Sequence, residues 1–106
     1  MIVVTSETIA NKRVVRTLGI VRGNTVRARH IGKDIMAGLR NIVGGEVHEY
    51  AKLVAESREQ SLDRMVQEAA SLGANAIIAV RFTTSVLMGG AAELLAVGTA
   101  VIIEDD

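Results

Sequence analysis

Two histidines and a short acidic run are the residues of this sequence best suited to hold a metal ion. The nitrogen and oxygen ligands would come from His30, Glu46, His48 and Glu49. Ligands that share a helix face are three or four residues apart, so Glu46 and Glu49 can meet whereas His48 points elsewhere. A ring of several copies could still gather one His48 from each. We therefore name Glu46, His48 and Glu49 as candidate ligands of a divalent metal ion, against the alternative of solvated side chains at a helix start.

The pair Gly32-Lys33 raises the question of a nucleotide-binding loop. In the P-loop pattern a glycine stands five residues before the Gly-Lys pair, and a serine or threonine follows it. Here those two positions hold Arg27 and Asp34. We interpret Gly32-Lys33-Asp34 as a helix start and Gly89-Gly90 as turn residues.

Catalytic patterns are absent from the sequence. The serines and threonines have no nearby histidine and no nucleophile elbow, and no two carboxylates share an apolar wall. An enzymatic site would have to combine Tyr50, Arg81 and Glu93 at a subunit boundary. A core tyrosine, a surface arginine and a charge near a hairpin tip explain these three residues more simply, so we expect a protein that is not an enzyme.

Composition narrows the class of protein further. The 106 residues fit a single domain, 1–106, whose core must be aliphatic because aromatic residues make up only 2% of the chain. The chain has no cysteine, which excludes disulfides, iron–sulfur clusters and thiolate metal sites. The N-terminal residues lack a secretory pattern and the longest uncharged apolar run, LLAVGTAVII, has 10 residues. We expect a cytoplasmic protein without a membrane span.

The charges divide unevenly along the chain. Residues 1–45 hold eight basic and two acidic residues, a net charge of +6, whereas residues 46–106 hold four basic and ten acidic residues, a net charge of −6. Because the basic residues are spread out rather than clustered, this pattern disfavours nucleic-acid binding. It favours charge complementarity within one subunit or between subunits.

The elements that would position these residues follow from hydrophobic periodicity. We predict a long helix that starts at Glu46 and is closed by Gly73, with Asn75 bonding local backbone in the turn that follows. In the strands, we predict that Val14, Leu18 and Ile20 share one face, and that Ile78, Val80 and Phe82 share another. The remaining predicted elements are strands at 2–5, 13–21, 25–28, 76–86 and 92–103, a turn or bulge at 22–24, a short helix at 32–43 and a hairpin tip at 87–91.

The last strand differs from the others because its pattern does not alternate. The run LLAVGTAVII offers apolar or small side chains to both faces of a sheet, and one long helix can cover only one face. Another copy of the chain is the simplest cover for the second face. The sequence therefore predicts a homo-oligomer.

Several segments together resemble a known family. They are IVVTSETI at the start, VVRTLGIVRG, DIMAGLRNIVGG, the helix opening IVGGEVHEY, then SLGANAIIAVRFTTS and the final AVGTAVII. On this ordered set the chain resembles the YbjQ-like family of small bacterial and archaeal proteins. The sequence departs from the family at Glu46, because a basic residue usually follows the double glycine.

The resemblance implies both a fold and a role. The implied fold is α+β, with a curved antiparallel sheet packed on one long helix plus a short helix, like the dodecin subunit, and the implied assembly is a homopentameric ring. The implied role is heavy-metal binding, which we place at subunit interfaces. The alternative is a non-catalytic ring that binds a small ligand or a partner protein.

Overall fold

The computed structural model describes residues 1–27, 47–86 and 92–106, with side chains at 1–26, 55–85 and 93–106. The predicted short helix at 32–43 and the predicted hairpin tip at 87–91 lie outside the described residues. So do His30, the Gly32-Lys33 pair and Glu46.

The described residues form one sheet with one helix on it. The helix is α1 (Val47–Ser71), and the strands are β1 (Ile2–Val3), β2 (Lys12–Arg27), β3 (Ala76–Val86) and β4 (Ala92–Asp105). The strand order is β1-β3-β4-β2, and only the β1–β3 pair is parallel. This arrangement confirms the predicted α+β class, with a mixed rather than purely antiparallel sheet. The likeness to the dodecin subunit remains a prediction. No helix in the described ranges is long and apolar enough to span a membrane.

Helix α1 follows the predicted apolar stripe. Met65 and Ala69 are fully buried against Val21, Ile77 and Ala96 of the sheet. The core between the two layers is aliphatic, as the composition requires. Burial of each larger side chain in this core contributes about 1.5–3 kcal/mol to the free energy of unfolding.

The end of α1 is set by a glycine, as predicted. Gly73 has a φ of +84°, a conformation that costs other residues about 1–2 kcal/mol, and its amide donates to the Ala70 carbonyl at 3.0 Å. Asn75 acts differently from the prediction. Its side chain pairs with the backbone of Ile103 on β4, accepting from the amide at 2.7 Å and donating to the carbonyl at 2.9 Å. The side chain thus extends the sheet rather than capping a local turn.

Strand β2 is continuous through Arg22-Gly23-Asn24, so the predicted turn or bulge there is wrong. Gly23 is small for another reason: its Cα faces the backbone of α1, and an added Cβ would overlap the Ser61 carbonyl oxygen. The irregularities of β2 fall between Val14 and Arg16 and between Thr17 and Gly19.

The second irregularity of β2 reverses which way the following side chains point. Leu18 packs against the core beneath α1, whereas Ile20 lies on the opposite face and is 66% exposed. The predicted common face of Val14, Leu18 and Ile20 is therefore wrong. Period-two counting fails wherever a bulge inserts a residue.

Strand β3 contains a third irregularity, between Ile78 and Arg81. Ile77 and Val80 both belong to the core beneath α1, whereas Ile78 packs on the other face with Ala76 and Val101. The predicted alternation of Ile78, Val80 and Phe82 is wrong for the same reason as in β2. At the bulge, Ala79 adopts a φ of +55° and its amide donates to the Ser6 carbonyl at 2.9 Å.

Replacing Ala79 with glycine is expected to raise the free energy of unfolding by roughly 0.5 to 1 kcal/mol. The left-handed conformation costs alanine about 1–2 kcal/mol, which exceeds the extra unfolded-state entropy of glycine, about 0.4–1 kcal/mol. Urea unfolding at a fixed subunit concentration measures the change. The control is Ala74→Gly, which removes a methyl group that packs against the core, at a residue without positive φ. This control should lose stability, and a loss in both variants would contradict the strain at Ala79.

Candidate functional site

The structure describes the backbone of two of the three predicted metal ligands, His48 and Glu49, but none of their side chains. His48 and Glu49 lie in the first turn of α1, where side chains fall outside the described residues, and Glu46 precedes the described part of the helix. Among the side chains that are described, no three of His, Cys, Asp or Glu come together as metal ligands would. The predicted ligand set therefore stays a prediction.

Of the alternative enzymatic site, only the side chains of Arg81 and Glu93 are described, and the structure does not bring these two together. The Arg81 guanidinium donates to the Thr5 carbonyl at 2.7 Å and to the Val80 carbonyl at 2.8 Å. Glu93 Oε2 instead accepts from the side-chain Nδ2 of Asn24 at 3.2 Å. Arg81 lies beside Val97 on β4, four residues from Glu93, which is about 13 Å along a strand. Each side chain has its own structural partner.

Beneath α1 lies a small buried cluster of hydroxyl groups that the sequence did not single out as a unit. Thr25 Oγ1 and Ser61 Oγ are 3.2 Å apart. Ser61 Oγ also lies 3.0 Å from the carbonyl oxygens of Ser57 and Leu94. Every buried polar side-chain atom in the described part of the chain has a hydrogen-bond partner. The partners of Thr25 Oγ1 and Ser61 Oγ are each other and the backbone carbonyls of Ser57 and Leu94, and none of these is a base. The cluster therefore ties α1 to β2 and β4 rather than providing a nucleophile.

The face of the sheet opposite α1 is the more informative surface. We call the part of it that lies toward the end of β2 and the start of β4 the open face. It is defined by Ile20, Arg22, Asn24 and Val26 of β2 with Glu93, Leu95, Val97 and Thr99 of β4. These residues alternate with Val21, Thr25, Ala96 and Ala100, which are buried beneath α1. Ile20 and Val26 are 66% and 52% exposed. The sequence prediction that β4 has two apolar faces is confirmed, with Leu95 and Val97 on the open face.

Toward the start of β2 and the end of β4, the same side of the sheet is covered by the N-terminal segment. Ile9 and Ile78 pack on Ala76, Val101 and Ile103, which form a second buried cluster. The segment is held to β3 by backbone hydrogen bonds from Val80 to Val4 and from Ala79 to Ser6. The N-terminal segment does not extend over the open face, so the covered part and the open face follow one another along the same side of the sheet.

A cavity of about 270 Å³ opens where the N-terminal segment meets the ends of β2 and β4. Its lining includes three aliphatic side chains and three charged ones, namely Ile9, Val14, Ile103, Glu7, Lys12 and Arg13. The cavity could not be predicted from the sequence, because Ile103 joins residues 7–14 from the other end of the chain and the lining follows no motif.

Two ion pairs flank this cavity. Lys12 Nζ contacts the Asp105 carboxylate, and this hydrogen bond and the lysine charge hold the pKa of Asp105 below its ordinary value. Arg13 Nη2 lies 3.3 Å from Glu104 Oε2, with both side chains more than half exposed. An exposed pair of this kind contributes little stability, about 0–1 kcal/mol.

Comparisons with known proteins place this fold in a family. A family model described as "Putative heavy-metal-binding" matches residues 1–104. A UPF0145 protein of Methanosarcina acetivorans is 55% identical over 103 residues, 97% of each chain. A UPF0145 protein of Archaeoglobus fulgidus is 57% identical over 101 residues, 95% of this chain and 94% of the relative. A bacterial relative, from Clostridioides difficile, is 49% identical over 106 residues, 100% of this chain and 95% of its own.

The fold also has a counterpart among solved structures. A crystal structure of a protein of unknown function from Pediococcus pentosaceus, assigned to the DUF74 family, matches with a TM-score of 0.64 over 98% of each chain. The two sequences are 14% identical, so this likeness concerns the fold alone. The family match and the close relatives, by contrast, extend over the segments that carried the resemblance in the sequence. The chain therefore belongs to the YbjQ family of UPF0145 proteins.

Proposed function

We propose that the protein acts as a non-catalytic homo-oligomer whose copies meet through the open face. The observation that carries this proposal is the exposure of Ile20 and Val26 on a sheet face with Leu95 and Val97 beside them. Antiparallel sheets can leave one face in water when that face is polar. The β2 and β4 positions of this face are apolar at four of eight, and β3 continues the face with the polar residues Arg81, Thr83 and Ser85. Burying each of the exposed side chains of Ile20 and Val26 would contribute about 1.5–3 kcal/mol.

The dimensions of the chain support a need for further packing. The radius of gyration is 16.8 Å, whereas a compact domain of this length has about 13 Å. The extents of 53 × 26 × 16 Å describe a long, thin plate. A plate on which the described residues place one helix layer has a high ratio of surface to volume, which association with further copies would lower.

A charge pattern on the open face also supports a second copy as the cover. Arg22 lies opposite Val97 on this face, and Glu93 lies four residues from Val97 along β4. That separation, about 13 Å, is too long for a direct ion pair within one chain. Both side chains would gain partners from a neighbouring copy, which fits the opposite net charges of the two halves of the sequence.

Metal binding at the contacts between copies is the second candidate function. The family description supports it, and so does the candidate set Glu46, His48 and Glu49. The described side chains of one copy form no ligand cluster, so the ligands would come from more than one copy or from the start of α1. The resemblance implies a ring of five copies, and the residue pattern of the sequence favours the cytoplasm as its location. A ring that binds a small ligand or a partner protein is the remaining alternative.

Native mass spectrometry of protein purified without an affinity tag or chelator tests both candidates in one spectrum. We expect an oligomer at micromolar concentration, with five copies if the ring is correct. A monomer would contradict the assembly. A retained metal mass that is lost in the His48→Ala and Glu49→Ala variants would support the ligand assignment, whereas equal metal content in these variants and the parent would contradict it.

A further inference from the structure

The two edges of the sheet differ in how far they are closed to a further strand. Strand β2 forms one edge, and β3 forms the other beyond the short β1. We propose that the outer edge of β3, from Phe82 to Val86, pairs antiparallel with the same edge of a second copy, so that one sheet continues through both copies. The contact uses the β3 edge and not the open face, so this inference goes beyond the proposed function and does not depend on it.

The edge of β2 is blocked by charged side chains of α1. Glu68 Oε2 accepts the Arg22 amide at 3.4 Å, and the Arg64 guanidinium donates to the Asn24 carbonyl. A neighbouring strand would need these same main-chain groups, because alternate residues of an edge strand direct them outward. Between positions 14 and 19, the two irregularities of β2 disrupt the rest of this edge. The β2 edge is therefore a poor template for a further strand.

The edge of β3 has no strand beside it beyond Val80 in the described part of the chain. The Val80 amide points outward and donates to the Val4 carbonyl of the N-terminal segment at 3.1 Å. Since main-chain groups alternate in direction along a strand, those of Phe82 and Thr84 point outward in the same way. Residues 82–85 contain no charge and no proline, and their register with β4 is regular. Charges, prolines and bulges are the features that keep natural edges from pairing, so this edge is open to a further strand.

The exposure of Phe82 also points to a further strand at this edge. Phe82 stands opposite Ala96, on the side of the sheet that carries α1. Ala96 is fully buried there, whereas Phe82, the only phenylalanine of the chain, is 39% exposed. A strand added beside β3 would shield the ring from water, because side chains directly opposite each other on neighbouring strands are in contact.

The residues of this edge match a second copy of themselves. In a two-fold antiparallel pairing centred on Thr84, that residue stands opposite the partner's Thr84, and Thr83 stands opposite the partner's Ser85. Threonine opposite threonine or serine is a favourable cross-strand pair, and residues 82–85 bring no like charges together. A two-fold contact joins copies in pairs, so it would join rings of five copies into assemblies of ten.

A single cysteine at the two-fold axis tests the pairing directly, because the chain has no cysteine of its own. In Thr84→Cys the two thiols would lie opposite each other, with Cα atoms about 5.5 Å apart, within the roughly 4.4–6.8 Å that a disulfide spans. On oxidation with copper phenanthroline, we expect Thr84→Cys to form a disulfide-linked dimer about tenfold or more faster than Leu72→Cys. Leu72 is 47% exposed at the end of α1, so a thiol there reports random collisions. Equal rates would overturn the pairing between copies and leave the edge to a strand of another protein.

The same two cysteine variants in the Ile20→Lys background separate the edge contact from assembly through the open face. Ile20 lies on the opposite side of the sheet from α1, whereas position 84 lies on the side that carries α1. The crosslink at position 84 should therefore also form in this background. Its loss there would overturn an independent edge contact. Failure of the open-face assembly would instead be seen as an unchanged oligomer mass when Ile20 alone is replaced.

A proline at position 84 tests the main-chain hydrogen bonds of the contact. Thr84→Pro removes an outward amide that β4 does not use, so an edge strand should tolerate it, whereas Thr84→Ala loses the same hydroxyl group and keeps the amide. In analytical ultracentrifugation of the Ile20→Lys background, we expect Thr84→Pro to weaken dimerisation about tenfold or more and Thr84→Ala about fivefold or less. Thermal unfolding verifies that both variants fold, and equal dimerisation of the two would overturn the pairing.

Discussion

Replacing Gly23 with alanine is expected to lower the free energy of unfolding by about 3 kcal/mol or more. A methyl group at this position would overlap the carbonyl oxygen of Ser61 and the amide nitrogen of Met65, and it would lie 2.8 Å from Arg64 Cβ. Two of these three atoms belong to the backbone of α1, so no side-chain rotation relieves the clash. The helix would have to lift from β2, which would loosen the hydroxyl cluster and the aliphatic core together.

The control for this prediction is Gly73→Ala, which adds the same methyl group in open space. No atom lies within 4 Å of a Cβ built on Gly73, so its cost comes from the φ of +84°. That strain, about 1–2 kcal/mol, is offset by about 0.4–1 kcal/mol because alanine lowers the entropy of the unfolded chain, which leaves a net loss of roughly 0.5–1 kcal/mol. Urea unfolding of both variants at one subunit concentration compares the two causes. If Gly23→Ala cost no more than Gly73→Ala, the close approach of α1 to β2 would be wrong.

The boundaries of the fold could be predicted from the sequence because their signals are local. The apolar stripe that includes Leu62, Met65 and Ala69 has helical spacing, and Gly73 follows it directly. The described part of the helix begins at Val47, next to the predicted start at Glu46, which lies outside the described residues. The start of β3 at Ala76 matches its predicted start, and the end of β4 at Asp105 lies two residues beyond its predicted end.

The faces of the strands could not be predicted because bulges leave weak local signals. Alternation in β3 is regular in the sequence, and Ala79 gives no sign of its positive φ. The bulge there depends on the N-terminal segment, whose carbonyls at Val4 and Ser6 accept the amides of Val80 and Ala79. A glycine in a strand can mark either a bulge or a close approach. Gly19, with a φ of +122°, marks the first, and Gly23 marks the second.

The candidate sites differ in how far the sequence reveals them. The two-sided apolar character of β4 is visible in its composition, so the open face could be anticipated. The cavity could not, because Glu7, Arg13 and Ile103 come together only when the N-terminal segment crosses the sheet. The metal-ligand hypothesis relies on His48 and on the symmetry of an assembly, and neither spacing nor a single copy can define a site shared between subunits.

Replacing Ile20 with lysine is expected to separate the oligomer into smaller species. Ile20 is 66% exposed in a single copy, so lysine there should change the stability of one subunit by less than about 0.5 kcal/mol. In an assembly through the open face, the change would remove about 1.5–3 kcal/mol of buried isoleucine and place an ammonium in the contact. A loss of about 3 kcal/mol corresponds to roughly a hundredfold weaker association.

Light scattering with size-exclusion chromatography measures the mass of the oligomer, and Val26→Lys, on the same face, should have the same effect. Leu72→Lys is the matched control, because Leu72 is 47% exposed at the end of α1, on the other layer of the molecule. An unchanged mass for both open-face variants, or the same dissociation in the Leu72 variant, would show that copies do not meet through the open face.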